Sequence, residues 1–280
     1  GHRVRAAARQ PLPGYPHPGI EPALLPDLAG TEDLAPLVTG MDAVVHAAGL
    51  AHQPAGTGEA LLHAVNAEGA GRLALAATAQ GIERFVLLSS IRAVSGAASS
   101  RPVDESIAPA PTDAYGRSKR AGELAVAAAL PSATVVRPPV IHGAEAKANM
   151  ARLALVARLP LPLPLGGLTG RRSILSDVNL ADAVATLLAI EKARSRSFHI
   201  ADGPPLTVGE LIALMRAGLG RRRASLKLPA AFTRRGLSLM APHLVDQLLG
   251  DLIVKDVAIR QLGWQPVEPS SAGLARMVRA

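Results

Sequence analysis

The sequence predicts an α/β protein with a doubly wound parallel sheet and a smaller carboxyl-terminal lobe. Short runs such as residues 84–90 are almost continuously apolar, as strands covered on both faces require. These runs alternate with alanine-rich helical segments such as residues 59–80, which is the pattern of parallel strands joined by crossover helices. After residue 140 the pattern changes, so we divide the chain into 1–140 and 141–280.

Each element of the first half has a local signal. Apolar composition predicts strands at Arg3–Ala8, Asp42–Ala48, Arg84–Ser90, Ala133–Arg137 and, less regularly because of its prolines, Ile20–Leu28. A long helix at Glu59–Gln80 is stopped by Gly81. A second helix at Asp113–Leu130 begins with a capping residue, Thr112 or Asp113.

The second half is predicted to form the lobe, and the chain is expected to re-enter the sheet around residues 172–201. The predicted elements are an extended loop at Leu159–Leu165, a helix at Asp177–Ala193, a strand at Ser197–Ala201 and a helix at Thr207–Leu219. Thr207 and Glu210 form a capping box for the last of these. Two or three short helices complete the chain. We expect the lobe to lie over the carboxyl ends of the strands, where open α/β sheets bind ligands.

The composition excludes several classes of function. The chain has 280 residues, of which 49% are hydrophobic and 2% aromatic, and it has no cysteine, so thiolate metal sites are excluded. No cluster of His, Asp and Glu has the spacing of metal ligands, and we predict no metal. The net charge of +8 comes from scattered arginines rather than a nucleic-acid-reading patch. No apolar run is long enough for a membrane helix, and no signal segment begins the chain, so we expect a cytoplasmic protein.

Tyr115 and Lys119 are the most informative residues. They lie four positions apart on a predicted helix and therefore on one face, and Ser89-Ser90 ends a strand 25 residues before Tyr115. A free tyrosine is a poor base at neutral pH, and a nearby ammonium lowers its pKa. A serine hydroxyl at the strand end can orient a carbonyl or alcohol. Together these residues predict a proton-transfer site, with Ser90, Tyr115 and Lys119 as its catalytic set.

Several separated motifs resemble those of an extended short-chain dehydrogenase/reductase of the nucleotide-sugar epimerase, dehydratase and 4-keto-reductase type. The resemblance spans nearly the whole chain. It rests on the following motifs in their order: Asp42-Ala-Val-Val-His-Ala-Ala-Gly49, Val65-Asn66, Ser89-Ser90, Tyr115/Lys119, Arg137-Pro-Pro-Val-Ile-His-Gly143, Arg171-Arg172-Ser173 through Asp182, and Leu262-Gly-Trp-Gln-Pro266. Two positions depart from the family pattern, because His142 and Ser95 each replace a tyrosine.

The resemblance implies a Rossmann-type sheet and a mechanism. Tyr115 would exchange a proton with a sugar hydroxyl, Lys119 would hold the cofactor ribose, and Ser90 would bond the reacting oxygen. The residues implied to contact an NAD or NADP cofactor are Arg9, Asp27, Leu28, Ala47, Ala48, Gly49, Asn66, Ser89, Tyr115, Lys119, Pro138 and Val140. The residues implied to contact a nucleotide-sugar substrate are Ser90, His142, Asn149 and Arg172, the last through the diphosphate.

Several of these assignments have a structural alternative. Asp27 either approaches the adenine or caps a loop, and Asn66 either serves the cofactor or bonds a neighbouring strand. His142 and Arg172 either contact substrate or are structural and surface residues, respectively, whereas His46 is expected to be packed. An alignment on Val94-Ser95-Gly96 would put Ile91 in place of the catalytic serine, but the spacing to the tyrosine favours Ser90.

The glycine-rich turn of the family is missing from the sequence. The resemblance implies a first strand followed by Gly-x-x-Gly-x-x-Gly, whose backbone amides approach the pyrophosphate. Nothing fits that pattern, and Gly1-His2-Arg3-Val4 resembles the start of the second strand. We therefore expect an amino-terminally truncated version of a longer protein that binds dinucleotide poorly in this form. Without the first strand, two strand edges are expected to be exposed or forced together.

Two classes of function remain open. The first is an enzyme acting on a nucleoside-diphosphate sugar, which we expect to be UDP-linked, as a 4-epimerase with NAD or a 4-keto-reductase with NADPH. Arg9 follows the strand where an acid is usual for NAD, which favours NADP. The second is a non-catalytic NAD(P)-binding regulator on the same fold. By analogy with the family, a homodimer is expected through helices 59–80 and 113–130.

Overall fold

The computed structural model describes residues 2–10, 18–51, 58–146, 148–160, 167–221, 235, 239 and 248–280. Most of the loop predicted at Leu159–Leu165 lies outside the described residues. The strands are β1 Val4–Ala8, β2 Ile20–Leu24, β3 Ala43–His46, β4 Arg84–Leu88, β5 Thr134–Arg137, β6 Val140–His142, β7 Arg171–Arg172, β8 Ile174–Ser176, β9 Ser197–His199 and β10 Leu206–Thr207.

The four helices predicted with bounds are present, whereas those at Ala35–Val38 and Ala148–Ala157 were not predicted. The helices are α1 Ala35–Val38, α2 Glu59–His63, α3 Gly69–Ala79, α4 Ala114–Ala129, α5 Ala148–Ala157, α6 Asp177–Ala189, α7 Val208–Gly218, α8 Val257–Gln261 and α9 Ser270–Arg279. The helix predicted at Glu59–Gln80 is continuous, but its middle, Ala64–Glu68, is a π-helical segment. Asp113 rather than Thr112 caps α4, and the capping box of Thr207 and Glu210 is formed. Among the described helices, none is long and apolar enough to cross a membrane.

The predicted parallel sheet is confirmed in the order β3-β4-β5-β9, with all three pairings parallel. Helices α3 and α4 cover one face, where they share a core with Phe85 and Val135, and α6 covers the other face with Val86 and Val136. Because β9 pairs with β5, the chain returns to the main sheet at Ser197–His199. The boundary at residue 140 stays a prediction.

The first two strands form a separate sheet. β1 pairs in parallel with β2 and with no other described strand, and β3 pairs only with β4. The expected exposure of strand edges is therefore present, since Val4 is 49% and Val45 is 43% exposed. β3 is therefore buried only in part, since Val45 is exposed whereas the neighbouring His46 is 3% exposed.

The lobe is built on a second core. Helices α5, α7 and α9 pack together around Met150, Ile212, Met215 and Leu274, which are almost fully buried. Strands β6 and β8 pair in parallel beside this core, and β7 pairs with β10 in antiparallel orientation. This packing places the end of β5 next to the start of the lobe.

Candidate active site

The serine turn that follows β4 is the first component of the site. β4 ends at Leu88, and Ser90 caps the single 3₁₀ turn Ile91–Ala93, because its Oγ accepts a hydrogen bond of 3.2 Å from the backbone N–H of Arg92. Ile91 is 2% exposed and packs against Val94 and Val103 in a small apolar cluster. Ile91 therefore does not occupy a ligand-facing position, and the placement favours Ser90 at the hydroxyl position.

Helix α4 brings Tyr115 and Lys119 to this turn. The Asp113 side chain accepts a hydrogen bond of 2.6 Å from the N–H of Gly116, which starts the helix just before Tyr115. A Cβ on Gly116 would lie 2.3 Å from the carbonyl oxygen of Arg92, so only glycine allows this approach of α4 to the serine turn. The Tyr115 hydroxyl lies close enough to the Ser90 side chain for that hydroxyl to lower the pKa of Tyr115. The structure therefore brings the predicted serine and tyrosine into contact.

The electrostatics of Tyr115 differ from the expectation. Burial raises the pKa of Tyr115 above its ordinary value, and the Ser90 hydroxyl and the positive charge of Arg92 act in the opposite direction. Lys119, which the sequence predicts as the charge acting on Tyr115, has its Nζ at the end of β4, where it donates to the Leu88 carbonyl at 2.6 Å. The effect of Lys119 on Tyr115 stays a prediction. Burial lowers the pKa of Lys119 to about 8, although the nearby carboxylate of Glu123 opposes this.

The turn after β3 lies next to Lys119. A Cβ on Gly49 would be 3.7 Å from Lys119 Nζ, and the backbone of Ala47, Ala48 and Gly49 is partly or fully exposed. Asn66, in the π-helical segment, holds the turn: its Oδ1 accepts from the Leu50 N–H at 2.8 Å, and its Nδ2 donates to the Leu50 carbonyl at 2.9 Å. π segments recur at functional sites, and here one turns Asn66 inward.

Asn66 is therefore a positioning residue for the turn rather than an open cofactor contact. Its second N–H donates to Ser118 Oγ at 2.9 Å, and the residue is 3% exposed. With both N–H groups and the carbonyl oxygen engaged, the side chain has no donor left for a ligand. The structural alternative for Asn66 is the one this geometry favours. Similarly, His46 is packed as expected, at 3% exposure, and burial lowers its pKa to about 4.

Ser89 points away from the cofactor turn. Its hydroxyl donates to Glu123 Oε1 at 2.6 Å, and Arg137 binds the same carboxylate in two places, Nε to Oε1 at 2.8 Å and Nη2 to Oε2 at 2.7 Å. Burial alone would raise the pKa of Glu123, but Arg137, then Ser89 and Arg120, bring it below its ordinary value. The Ser89 hydroxyl is thus engaged by the internal ion pair of Glu123 and Arg137, and the predicted contact of Ser89 with a cofactor stays a prediction.

Glu123 and Arg92 are the site residues that sequence reasoning missed. Glu123 lies four residues after Lys119 and so on the same helix face, and it forms its ion pair with the arginine that ends β5. That spacing was a visible signal. Arg92 gave no comparable signal, because its contact with Asp113 spans 21 residues.

The residues predicted near the adenine and the pyrophosphate have mainly structural contacts. Asp27 Oδ1 accepts from the Ala29 N–H at 3.0 Å, which is the loop-capping alternative. Leu28 is 5% exposed, and its carbonyl accepts from Arg72 at 2.9 Å.

Arg9 is exposed at the end of β1. Pro138 is buried and its carbonyl accepts from Ile91, whereas Val140 is 41% exposed on β6.

The predicted substrate residues are divided between surface and interior. His142 is fully buried, and its Nε2 lies 2.9 Å from Asp202 Oδ2, which favours the structural alternative. Asn149 is exposed at the start of α5. Arg172 is partly buried on β7, and its Nη1 donates to the Ala97 carbonyl at 2.5 Å. The structure therefore leaves Asn149 and Arg172, but not His142, accessible to a ligand.

The described residues fit the nicotinamide end of a dinucleotide. Lys119 is adjacent to the exposed turn 47–49, and a Cβ at Gly49 would lie 2.7 Å from Asn66 Oδ1, so glycine allows this turn to pack closely against Asn66. These residues would hold the ribose and the ring. The described residues contain no glycine-rich turn at a helix start that would hold the pyrophosphate.

Comparisons with known proteins agree with this architecture. A sequence model of the NAD dependent epimerase/dehydratase family matches residues 6–201. The chain is 28% identical over 265 residues to the UDP-glucose 4-epimerase of Vibrio cholerae, covering 91% of this chain and 81% of that protein. It is 36% identical over 163 residues to the ceramide reductase of Caulobacter vibrioides, covering 58% of this chain and 44% of that protein.

Solved structures share the fold. MoeE5 in complex with UDP-glucose and NAD superimposes with a TM-score of 0.75 at 21% identity, covering 99% of this chain and 89% of that one. RMD from Pseudomonas aeruginosa complexed with NADPH gives a TM-score of 0.71 at 23% identity, covering 92% and 89%. The fold is thus the Rossmann-like fold of extended short-chain dehydrogenases/reductases. The family match over most of its length shows that the chain belongs to the NAD dependent epimerase/dehydratase family.

Proposed function

We propose that this protein is an NAD(P)-dependent oxidoreductase or epimerase acting on a nucleoside-diphosphate sugar, with Tyr115 as general acid and base. The observation that carries the proposal is the placement of Tyr115, on the first turn of α4, beside Ser90 at the carboxyl end of β4 and one helical turn from Lys119. A proton donor or acceptor, an orienting hydroxyl and a cation adjacent to an open turn are the groups that oxidation of an alcohol or reduction of a ketone requires.

Each residue has a defined task in this proposal. Ser90 donates to the reacting oxygen and orients it, and Tyr115 takes the proton from the alcohol or returns it to the ketone. Lys119 and the turn 47–49 bind the ribose. A bound nicotinamide dinucleotide supplies the hydride acceptor or donor. Arg172 binds the diphosphate of the substrate, where a guanidinium suits phosphate oxygens.

The cofactor and substrate preferences are supported by separate features. The exposed Arg9 after β1 favours a 2′-phosphate, and hence NADP. A UDP-linked sugar is supported by the relative named UDP-glucose 4-epimerase and by the UDP-glucose bound to MoeE5. A reductase acting on a ketone without a nucleotide is a second candidate, because the 36%-identical relative is named ceramide reductase.

An assay of turnover tests the proposal. The protein is incubated with UDP-glucose or UDP-galactose and NAD(P), and epimer formation is followed by chromatography. Reduction of a 4-keto-sugar nucleotide is followed by NADPH absorbance. We expect Tyr115→Phe to reduce kcat by about 10²–10⁴-fold. The control is Tyr15→Phe, which changes the only other tyrosine. Equal activity of Tyr115→Phe and the control would refute the assignment.

The substrate classes are separated by Arg172→Met. A diphosphate substrate predicts a rise in KM with little change in kcat, since the lost contact is far from the reacting carbon. An unchanged KM, together with turnover of a ketone that lacks a nucleotide, would instead support the second candidate. If the protein is instead a non-catalytic regulator, it binds the dinucleotide but shows no turnover in this assay.

We also propose a homodimer through helices 59–80 and 113–130. Three leucines on the outer faces of these helices are exposed: Leu61 at 45%, Leu75 at 58% and Leu124 at 55%. A second copy of the chain would cover this apolar surface. Light scattering coupled to gel filtration tests it, because Leu75→Glu would convert a dimer into a monomer, and a monomeric parent protein would contradict the proposal.

A further inference from the structure

The single 3₁₀ turn Ile91–Ala93 connects the serine of the site to the start of α4 through one residue, Arg92. Its backbone N–H donates to Ser90 Oγ at 3.2 Å, and its guanidinium forms an ion pair with Asp113. Asp113 in turn accepts from the N–H of Gly116 through its other oxygen, at 2.6 Å. Arg92 therefore bonds both to Ser90 and to the residue that starts the helix of Tyr115.

The packing around Arg92 fixes these contacts. The carbonyl of Arg92 approaches Gly116 so closely that a Cβ there would lie 2.3 Å from its oxygen. The side chain of Arg92 is 25% exposed and that of Asp113 38% exposed, so the pair is partly shielded from water. Salt screening and hydration weaken such a pair less than a fully exposed one.

The polar and charged groups near Tyr115 come from two segments. The serine turn contributes Ser90 and Arg92, and α4 with its cap contributes Lys119 and Asp113. Lys119 is directed at the Leu88 carbonyl, and Asp113 is bound to Arg92. The positive charge of Arg92 opposes the effect of burial on the pKa of Tyr115.

We propose that Arg92 is a positioning residue for the reaction: its backbone N–H holds Ser90, its guanidinium ties the serine turn to Asp113 at the start of the Tyr115 helix, and its charge stabilises negative charge on the Tyr115 oxygen. The inference rests on the proposed function of Tyr115. An arginine suits this task, because it stays charged at every relevant pH and can bind Asp113 while presenting further N–H groups.

Direct titration of Tyr115 tests the electrostatic part without substrate or cofactor. The chain has two tyrosines, so in a Tyr15→Phe background the near-ultraviolet absorbance of phenolate reports Tyr115 alone. We expect Arg92→Met to raise the titration midpoint by about one pH unit, at the low end for loss of a neighbouring opposite charge. Arg92→Lys should restore most of the shift.

The matched control is Arg117→Met, which also removes one positive charge, but from the first turn of α4. Arg117 pairs with Glu59 at the surface, on the side of the helix away from Tyr115. We expect no shift of the midpoint in this variant. A shift in Arg117→Met equal to that in Arg92→Met would overturn the proposal, because the effect would then be one of net charge.

A second variant keeps the test valid if Arg92→Met does not fold. Asp113→Asn preserves a good helix cap but removes the carboxylate that neutralises Arg92. The proposal predicts that this variant lowers the Tyr115 midpoint, and circular dichroism of the same samples confirms folding. A midpoint that does not move in the folded variants would overturn the proposal, since a purely structural Arg92 gives that result.

The activity assay separates this proposal from the proposed function. If both hold, Arg92→Met lowers kcat at neutral pH by about tenfold, in proportion to the loss of phenolate, with KM little changed. If Tyr115→Phe retains full activity, the proposed function fails, and the titration still decides whether Arg92 acts on Tyr115. If Tyr115→Phe is inactive and the Arg92→Met midpoint is unchanged, only the role of Arg92 fails.

Discussion

Replacing Glu123 by glutamine removes the charge at the centre of the buried ion pair beside the candidate site. Glu123 is 3% exposed and accepts four hydrogen bonds, from Ser89 at 2.6 Å, Arg137 at 2.7 and 2.8 Å, and Arg120 at 2.9 Å. Glutamine has nearly the same shape but leaves Arg137, itself 5% exposed, without a compensating charge. Breaking a buried pair in this way costs about 3–5 kcal/mol of unfolding free energy.

Urea unfolding at pH 7 measures this loss. We expect the midpoint of Glu123→Gln to fall well below that of the parent protein, with an unchanged slope. The control is Glu59→Gln, which removes the other carboxylate that pairs with an arginine of α4, but on the surface. We expect that control to unfold at the parent midpoint, because an exposed ion pair contributes little.

The stability difference between the parent protein and Glu123→Gln should depend on pH, in a direction set by the pKa of Glu123. Because the pKa of folded Glu123 lies below its ordinary value, its stabilising contribution is present above that ordinary value and is lost as the pH falls through the folded one. The difference between parent and Glu123→Gln should therefore shrink under acid. An equal midpoint for the two proteins at pH 7 would refute the reasoning, because it would mean that Arg137 is not held by this charge.

Three further predictions concern stability. Gly122→Ala would place a Cβ 2.2 Å from the Asn66 carbonyl oxygen, so we expect a loss of about 1–3 kcal/mol in urea unfolding; an unchanged midpoint would show that α4 can move away from the π-helical segment. Thr207→Ala removes the capping box of α7 and should cost about 1 kcal/mol, whereas Thr207→Ser should cost little. Burial lowers the pKa of His46 to about 4, so the unfolded chain binds more protons at this residue between pH 6.5 and 4; His46 should therefore account for a loss of about 2 kcal/mol from pH 7 to pH 5, and His46→Leu should lose about that much less than the parent over this range. Equal losses in parent and variant would contradict this account of His46.

Local composition was sufficient for the main elements. The apolar runs at β3, β4 and β5 and the alanine-rich helices between them were predicted within a few residues, because continuous burial on two faces leaves a continuous apolar pattern. The start of α4 was also predictable, since a capping aspartate has a short-range preference. This start places Tyr115 and Lys119 on one face of the helix.

Contacts between distant segments were not predictable in the same way. The sequence suggested Lys119 as the charge acting on Tyr115, but the direction of its side chain depends on the Leu88 carbonyl, 31 residues away. Asn66 was left between two roles until the structure showed its bonds to Leu50 and Ser118. His142 was a candidate substrate contact until burial against Asp202 placed it in the interior.

The sequence by itself determined the family, the parallel sheet and the segments that carry Ser90, Tyr115 and Lys119, because periodicity, capping and motif order are local properties of the chain. Only the tertiary structure decided that the charge of Arg92 acts on Tyr115, which polar side chains are open to a ligand and that β1 and β3 do not pair. These depend on how segments far apart in sequence pack, and a buried polar group takes whichever partner that packing brings within hydrogen-bonding distance.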